Sequence, residues 1–369
     1  MNKKNLFLTL LTGTLLLPVF MHTMNPQEEN KGKNVPNQTV QVIKPYQAPF
    51  ENSRKQFIDK LKAMSRGKVS EKYIQELEKE ENKLMEEFFK IMKCNASTFN
   101  CWKMMFNDEF LDNQHEEESV LKKQTTENDL STWRECILWI QSAMKECFIA
   151  SDKVTINVVD GSGGSPLSAQ QKHITIFDRD MRNHMSAPDR IKEREAIIQH
   201  TIRHEIQHIL HDDVYIAWVM DNMEPEKGRE KMHDLFVKKF SRFQEKRADI
   251  LAALMHTDYA KAGFENFALI VQKNQANWVG ALSTTEKEKY LSGTLKMPVV
   301  PESTHPSMEK RAEYLQQLHK EMVEELSVKK TDSVAVCPAQ FMDLIAEYAG
   351  MHLGGGAAAA GAGVAHKKI

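Results

Sequence analysis

From residue 51 onward, apolar residues recur at intervals of three and four along much of the chain. Phe57, Leu61 and Met64 repeat in this way, and so do Ile137, Ile140, Met144 and Phe148. That spacing collects them on one side of a helix, where a turn takes about 3.6 residues. Helices are therefore expected over residues 51–66, 70–93 and 132–150, with the acidic run "DNQHEEES" read as part of a solvated loop before the third. The texture then changes. "KVTINVV" and "HITIF" are short, β-branched runs on either side of the turn-rich "DGSGGSPLSAQQ", and they read as strands. Helical spacing returns over residues 189–211, 227–256, 259–274 and 307–326. The fold class is α+β, mostly helical, with a small sheet. No internal repeat is present.

The two ends have a different pattern. Lys3 and Lys4 precede an apolar run from Leu6 to Phe20, short for a membrane span but suited to a secretion signal. Residues 1–22 are read as a signal peptide, with an uncleaved anchor left open because "MHTMNPQ" lacks a small-x-small cleavage site. Export to a periplasm or to the exterior is expected, and membrane association only through this segment if it stays uncleaved. Residues 23–50 carry four prolines in a polar setting and read as a linker to the helical region at 51–150. The main domain is placed at 151–330, a C-terminal helix at 331–353, and a Gly/Ala tail without fixed structure at 354–369.

Composition changes this picture little. The 369 residues are 41% hydrophobic and 27% charged, as expected of a globular protein. A net charge of −2 argues against a nucleic-acid partner, because phosphate binding needs a basic excess. The glycines near residue 162 are not followed by Gly-Lys-Ser/Thr, so no phosphate loop is read there. Cys94, Cys101, Cys136 and Cys147 lie at helical spacings in pairs. In an exported chain they allow one or two disulfides with Cys337 left over, or else buried thiols.

The chemistry gathers in "TIRHEIQHILHDD". His204 and His208 are one helical turn apart, so both rings can reach one point. At about 100° per residue, His200, His204, His208 and His211 share an arc, while Ile198, Ile202, Ile206, Ile209 and Leu210 fill another. Glu205 sits at the boundary. Neutral imidazoles hold a metal ion, and a neighbouring carboxylate can take a proton from the water on it. A zinc site of this kind needs a third protein ligand. "SRFQEKRADILAALMH" supplies Glu245, with Asp249 one turn later to bond the free ring nitrogen of a ligand histidine. Such charges also suit an exposed helix, and their place 37 residues after His208 is what favours the ligand reading.

His204-Glu205-x-x-His208 followed by Glu245-x-x-Ala248-Asp249 resembles peptidase family M48, the zinc gluzincins. "THPSMEKRAEYL" adds the family's Thr-His-Pro segment as Thr304, His305 and Pro306, with Arg311 beyond it. The resemblance covers roughly residues 154–326. It implies a zincin-like domain binding Zn2+ through His204, His208 and Glu245, with Glu205 as general base and Asp249 behind the ligands. His305 would steady the oxyanion and Arg311 would buttress the site. The alternative for His305 is a turn residue before a helix starting near Pro306, since proline suits the first helical position; its place after the other motifs, in order, favours the functional reading.

The expected function is therefore a zinc-dependent endopeptidase acting on extended protein or peptide substrates, in the setting of envelope protein quality control. "HITIF" is expected to be the sheet edge that holds the substrate backbone. The helices of residues 51–150 have no counterpart in the family and would cover the cleft or bind a partner. Two rivals are a catalytically silent zinc-binding chaperone or adaptor, and a helical scaffold without metal.

Overall fold

The stripes of apolar residues turn inward onto one continuous core, which runs from Phe57 and Phe88 through Ile140 and Ile174 to Leu254 and Leu318. The structure is a computed structural model, described here for residues 46, 48–64, 67–163, 165–186, 194–297 and 304–332. The signal, most of the linker, the C-terminal helix beyond 332, the tail and Cys337 lie outside the described residues.

Five helices come first: α1 (Glu51–Ala63), α2 (Gly67–Met92), α3 (Ala96–Gln124), α4 (Glu127–Thr132) and α5 (Arg134–Glu146). Three strands follow, β1 (Thr155–Val159), β2 (Leu167–Ala169) and β3 (His173–Phe177). Then come α6 (Asp178–Ser186), α7 (Arg194–Leu210), α8 (Asp213–Asn222), α9 (Glu230–Leu254), α10 (Thr257–Ala281), α11 (Thr284–Leu291) and α12 (Met308–Asp332). The architecture is mostly helical with one small sheet. Among the described residues no helix is long and apolar enough to cross a membrane.

Two features depart from the sequence reading, and a third falls on one of two alternatives it left open. First, the acidic loop is helix: α3 runs straight through "DNQHEEES". Asn95 caps it by accepting the Thr98 N–H at 2.9 Å, and Phe99, Trp102, Phe106 and Phe110 pack its first half. Beyond Phe110 the helix has almost no apolar stripe. Glu, Gln and Lys sustain it by propensity, and Glu118 ties it to Thr155 of β1 at 2.7 Å. Second, β3 is central in the sheet order β1–β3–β2, parallel to β1 and antiparallel to β2. The "HITIF" strand therefore has no free edge, and the short β2, missed in the sequence, provides one instead. Third, Cys94, Cys101, Cys136 and Cys147 are all free thiols. Cys136 and Cys147 are core residues, and burial pushes both thiols up to about 12.

The helix that carries the histidines lies in the middle of the fold. Ile198, Ile202, Ile206, Ile209 and Leu210 of α7 are buried, and the helix packs against α5, α9, α10 and β2. Asp212 then adopts a left-handed backbone, φ 56°, and reverses the chain into α8. A short polar residue tolerates this conformation best. Its carboxylate accepts from Gln171 Nε2 at 2.8 Å and from the Tyr46 hydroxyl.

Candidate metal centre

On α7 the His204 and His208 rings lean together, with their Nε2 atoms 3.0 Å apart. The neighbouring α9 buries Phe236, Phe240, Phe243 and Ala248 and thereby presents Glu245 to the same point. Glu245 Oε2 lies 3.5 Å from His204 Nε2, and its Oε1 lies 3.5 Å from His208 Nε2. A tetrahedral ion with bonds of about 2.0–2.1 Å separates its donors by about 3.3–3.4 Å; Glu245 offers a different oxygen to each ring, and one donor atom from each residue lies within 4.8 Å of the other two. Among the described residues these three form the one group of His, Cys, Asp or Glu donors placed to hold a metal.

Behind each histidine stands a carboxylate, and behind each carboxylate an arginine. His204 Nδ1 lies 2.8 Å from Asp249 Oδ1, as a close ion pair rather than an aligned hydrogen bond. Arg311 grips Asp249 in bidentate fashion, Nε to Oδ2 at 2.7 Å and Nη2 to Oδ1 at 2.6 Å, and the Tyr314 hydroxyl donates to Oδ2. His208 Nδ1 lies 2.9 Å from Asp213 Oδ2. Arg247 bonds Asp213 Oδ1 and reaches on to Glu81 of α2 at 2.8 Å. Gln244 Nε2 adds a bond to Asp213 Oδ1 at 3.2 Å. Each arginine also lies over a phenylalanine, Arg311 over Phe267 and Arg247 over Phe243.

The electrostatics suit a cation. Burial alone would push His204 down, but Asp249 and Glu245 outweigh it and raise the imidazole to about 10. Burial would raise Glu245, yet the His204 and His305 contacts hold it far below the carboxylate range. For Asp213 and Asp249 burial is likewise overcome, chiefly by Arg247 and Arg311, so both stay ionised. Freed of its proton, the His204 ring nitrogen is one of the three donors that could hold a metal ion.

Glu205 lies between the two rings' charge and the sheet, feeling His204 and His208 on one side and Ala169 on the other. It is half-buried, burial raises its carboxyl, and the Ala169 backbone N–H of β2 donates to it. His305, before α12, places Nδ1 3.2 Å from Glu245 Oε1 with 57% of its side chain exposed. His204, His208, Glu245, Glu205, Asp213, Asp249, His305 and Arg311 line one cavity of about 900 Å³, walled by β2, α7, α8, α9, α10 and the start of α12.

The arc of four histidines does not survive intact. His200 is buried against Phe267 and Gly263, where a Cβ would come within 3.0 Å of its Nε2. His211 lies beyond the end of α7, bonds the Gln207 carbonyl at 3.0 Å and lines a different cavity. Sequence reasoning missed Asp213, Arg247, Glu81 and Tyr314. The signal for Asp213 was present in "HDD", but a residue five positions past a ligand and outside its helix belongs to no periodic pattern.

No protein-family model matches this chain, and neither a curated protein nor a solved structure does.

Proposed function

We propose that the protein is a zinc-dependent endopeptidase that hydrolyses peptide bonds of protein substrates bound in extended form. The observation that carries this reading is the convergence of His204, His208 and Glu245 at 3.0–3.5 Å, with Glu205 one residue away in the same cleft. A purely structural site is closed by a fourth protein ligand and has no use for a base beside it. Here three donors converge, the number a hydrolytic site uses. The M48-like motifs, with the zincin-like fold they imply, support the same conclusion, as do the export signal and the envelope setting read from the sequence.

His204, His208 and Glu245 would hold the zinc, which when bound would supply an acidified water and polarise the carbonyl. Asp249 and Asp213 keep the two rings oriented, each through Nδ1. The substrate strand lies along β2, whose outer edge offers backbone groups for β-augmentation. Glu205, beside that strand, takes the water proton and returns it to the leaving amine. His305, at the cleft rim, donates to the carbonyl oxygen as it gains charge, and Arg311 keeps Asp249 in place and lies 3.5 Å from Glu245.

Zinc analysis and casein hydrolysis on one preparation test the proposal, with a chelator expected to abolish cleavage. Glu205→Gln keeps the size of the side chain and removes the base. Turnover should fall by about a hundredfold to ten-thousandfold at unchanged zinc content. Undiminished hydrolysis in that variant at full zinc occupancy retires the mechanism. Zinc binding with no hydrolysis in the wild type favours the silent adaptor, and absence of zinc favours a scaffold.

A further inference from the structure

One wall of the cleft is a single face of α8. Asp213, Val214, Ala217, Trp218 and Asp221 all line the cavity, and their spacing of one, four, five and eight from Asp213 defines one helical stripe. At the near end, Asp213 is committed to His208 and Arg247. The other carboxylates of the cleft are committed too: Glu245 to the histidines, Asp249 to Arg311, and Glu205 to the Ala169 N–H. Asp221, at the far end, has no ion pair among the described residues.

Asp221 is exposed at the cleft mouth, where partial desolvation and the neighbouring Asp234 raise its carboxyl and His233 opposes them. One turn back, Trp218 is half-buried and held by edge contacts with α3, its centroid 5.4 Å from Phe106 and 5.5 Å from Phe110. A fixed indole beside an uncompensated carboxylate matches a long cationic side chain. The aliphatic stem lies on the ring and on Val214 and Ala217, and the charged end reaches Asp221.

We propose that Trp218 and Asp221 form a specificity subsite for a lysine or arginine side chain of the substrate. Along α8, eight residues at 1.5 Å place Asp221 about 12 Å from Asp213, whose carboxylate lies against His208. An extended peptide advances about 3.3 Å per residue, so the basic residue sits three to four positions from the scissile bond. The inference rests on the peptidase reading and narrows its substrate class.

The test uses fluorogenic peptides identical except for Lys, Gln or Glu at one position, scanned across four positions on either side of the cleaved bond. Zinc-loaded wild type should prefer Lys over Glu by about tenfold in kcat/KM, carried by KM, at one position three or four away. Asp221→Lys, checked for wild-type zinc content and melting temperature, should invert that ratio at the same position and nowhere else. A ratio near one at every position, with the Gln peptides still cleaved, overturns the subsite. Anisotropy of the same peptides on Glu205→Gln protein reads the preference without turnover. Preference in binding with no cleavage by wild type therefore points to failure of the peptidase reading, whereas equal binding of Lys and Glu peptides points to failure of the subsite.

Discussion

His204 and His208 are held by two assemblies that look alike and are built differently. Each ring meets an aspartate through Nδ1, each aspartate meets an arginine, and each arginine covers a phenylalanine. The His204 assembly is closed. Asp249 is 0% exposed, and its partners Arg311 and Tyr314 both come from α12, with Arg311 also 3.5 Å from Glu245. The His208 assembly continues outward through Arg247 to Glu81 on α2, whose side chain is 34% exposed. One arginine therefore depends on a single buried carboxylate and on Glu245, while the other divides its charge between an interior and a surface partner. Positioning of a histidine and stability of the fold can be coupled tightly at one ring and loosely at the other.

Asp249→Asn should have the larger effect, because it leaves the Arg311 charge buried beside Glu245 alone. A loss on the order of 3–5 kcal/mol is expected in chemical denaturation, together with about ten- to a hundredfold in zinc affinity. Asp213→Asn should weaken zinc by a similar factor but destabilise by roughly half as much, since Arg247 retains Glu81 at 2.8 Å. Denaturation midpoints and competitive zinc titrations on the two variants check this. Equal losses of stability would erase the distinction between a closed and an open assembly. Glu81→Gln alone should be the mildest, less than about threefold in zinc affinity, as a partly exposed pair contributes little. Its effect should grow when combined with Asp213→Asn, because Arg247 then has no carboxylate left. An additive double mutant would show that Glu81 plays no part in orienting His208.

The helices of residues 51–150 also take on a different character once packed. Glu80, Glu81 and Glu87 of α2 pair with Lys246, Arg247 and Lys239 along the back of α9, and Trp102, Phe106 and Phe110 of α3 support α8. These elements brace the two helices that carry Glu245 and the cleft wall.

What could be read from the residues alone was whatever lies on one helix or repeats with its period. His204, Glu205 and His208 share one turn of α7, Glu245 and Asp249 one turn of α9, and the isoleucines of α7 mark its buried side. A helix has a fixed rotation per residue, so spacing alone determines which side chains share a face. The meeting of α7 with α9, the reversal at Asp212 that brings Asp213 to His208, and the choice of β2 over β3 as the sheet edge are set by contacts between distant segments. So is the helicity of "DNQHEEES", which has helical propensity but no apolar stripe to show it. Side-chain period carries no information about which other element packs against a face, because burial is rewarded without regard to sequence separation. Tertiary packing made that choice, and with it the second arginine relay and the open end of the cleft at Asp221.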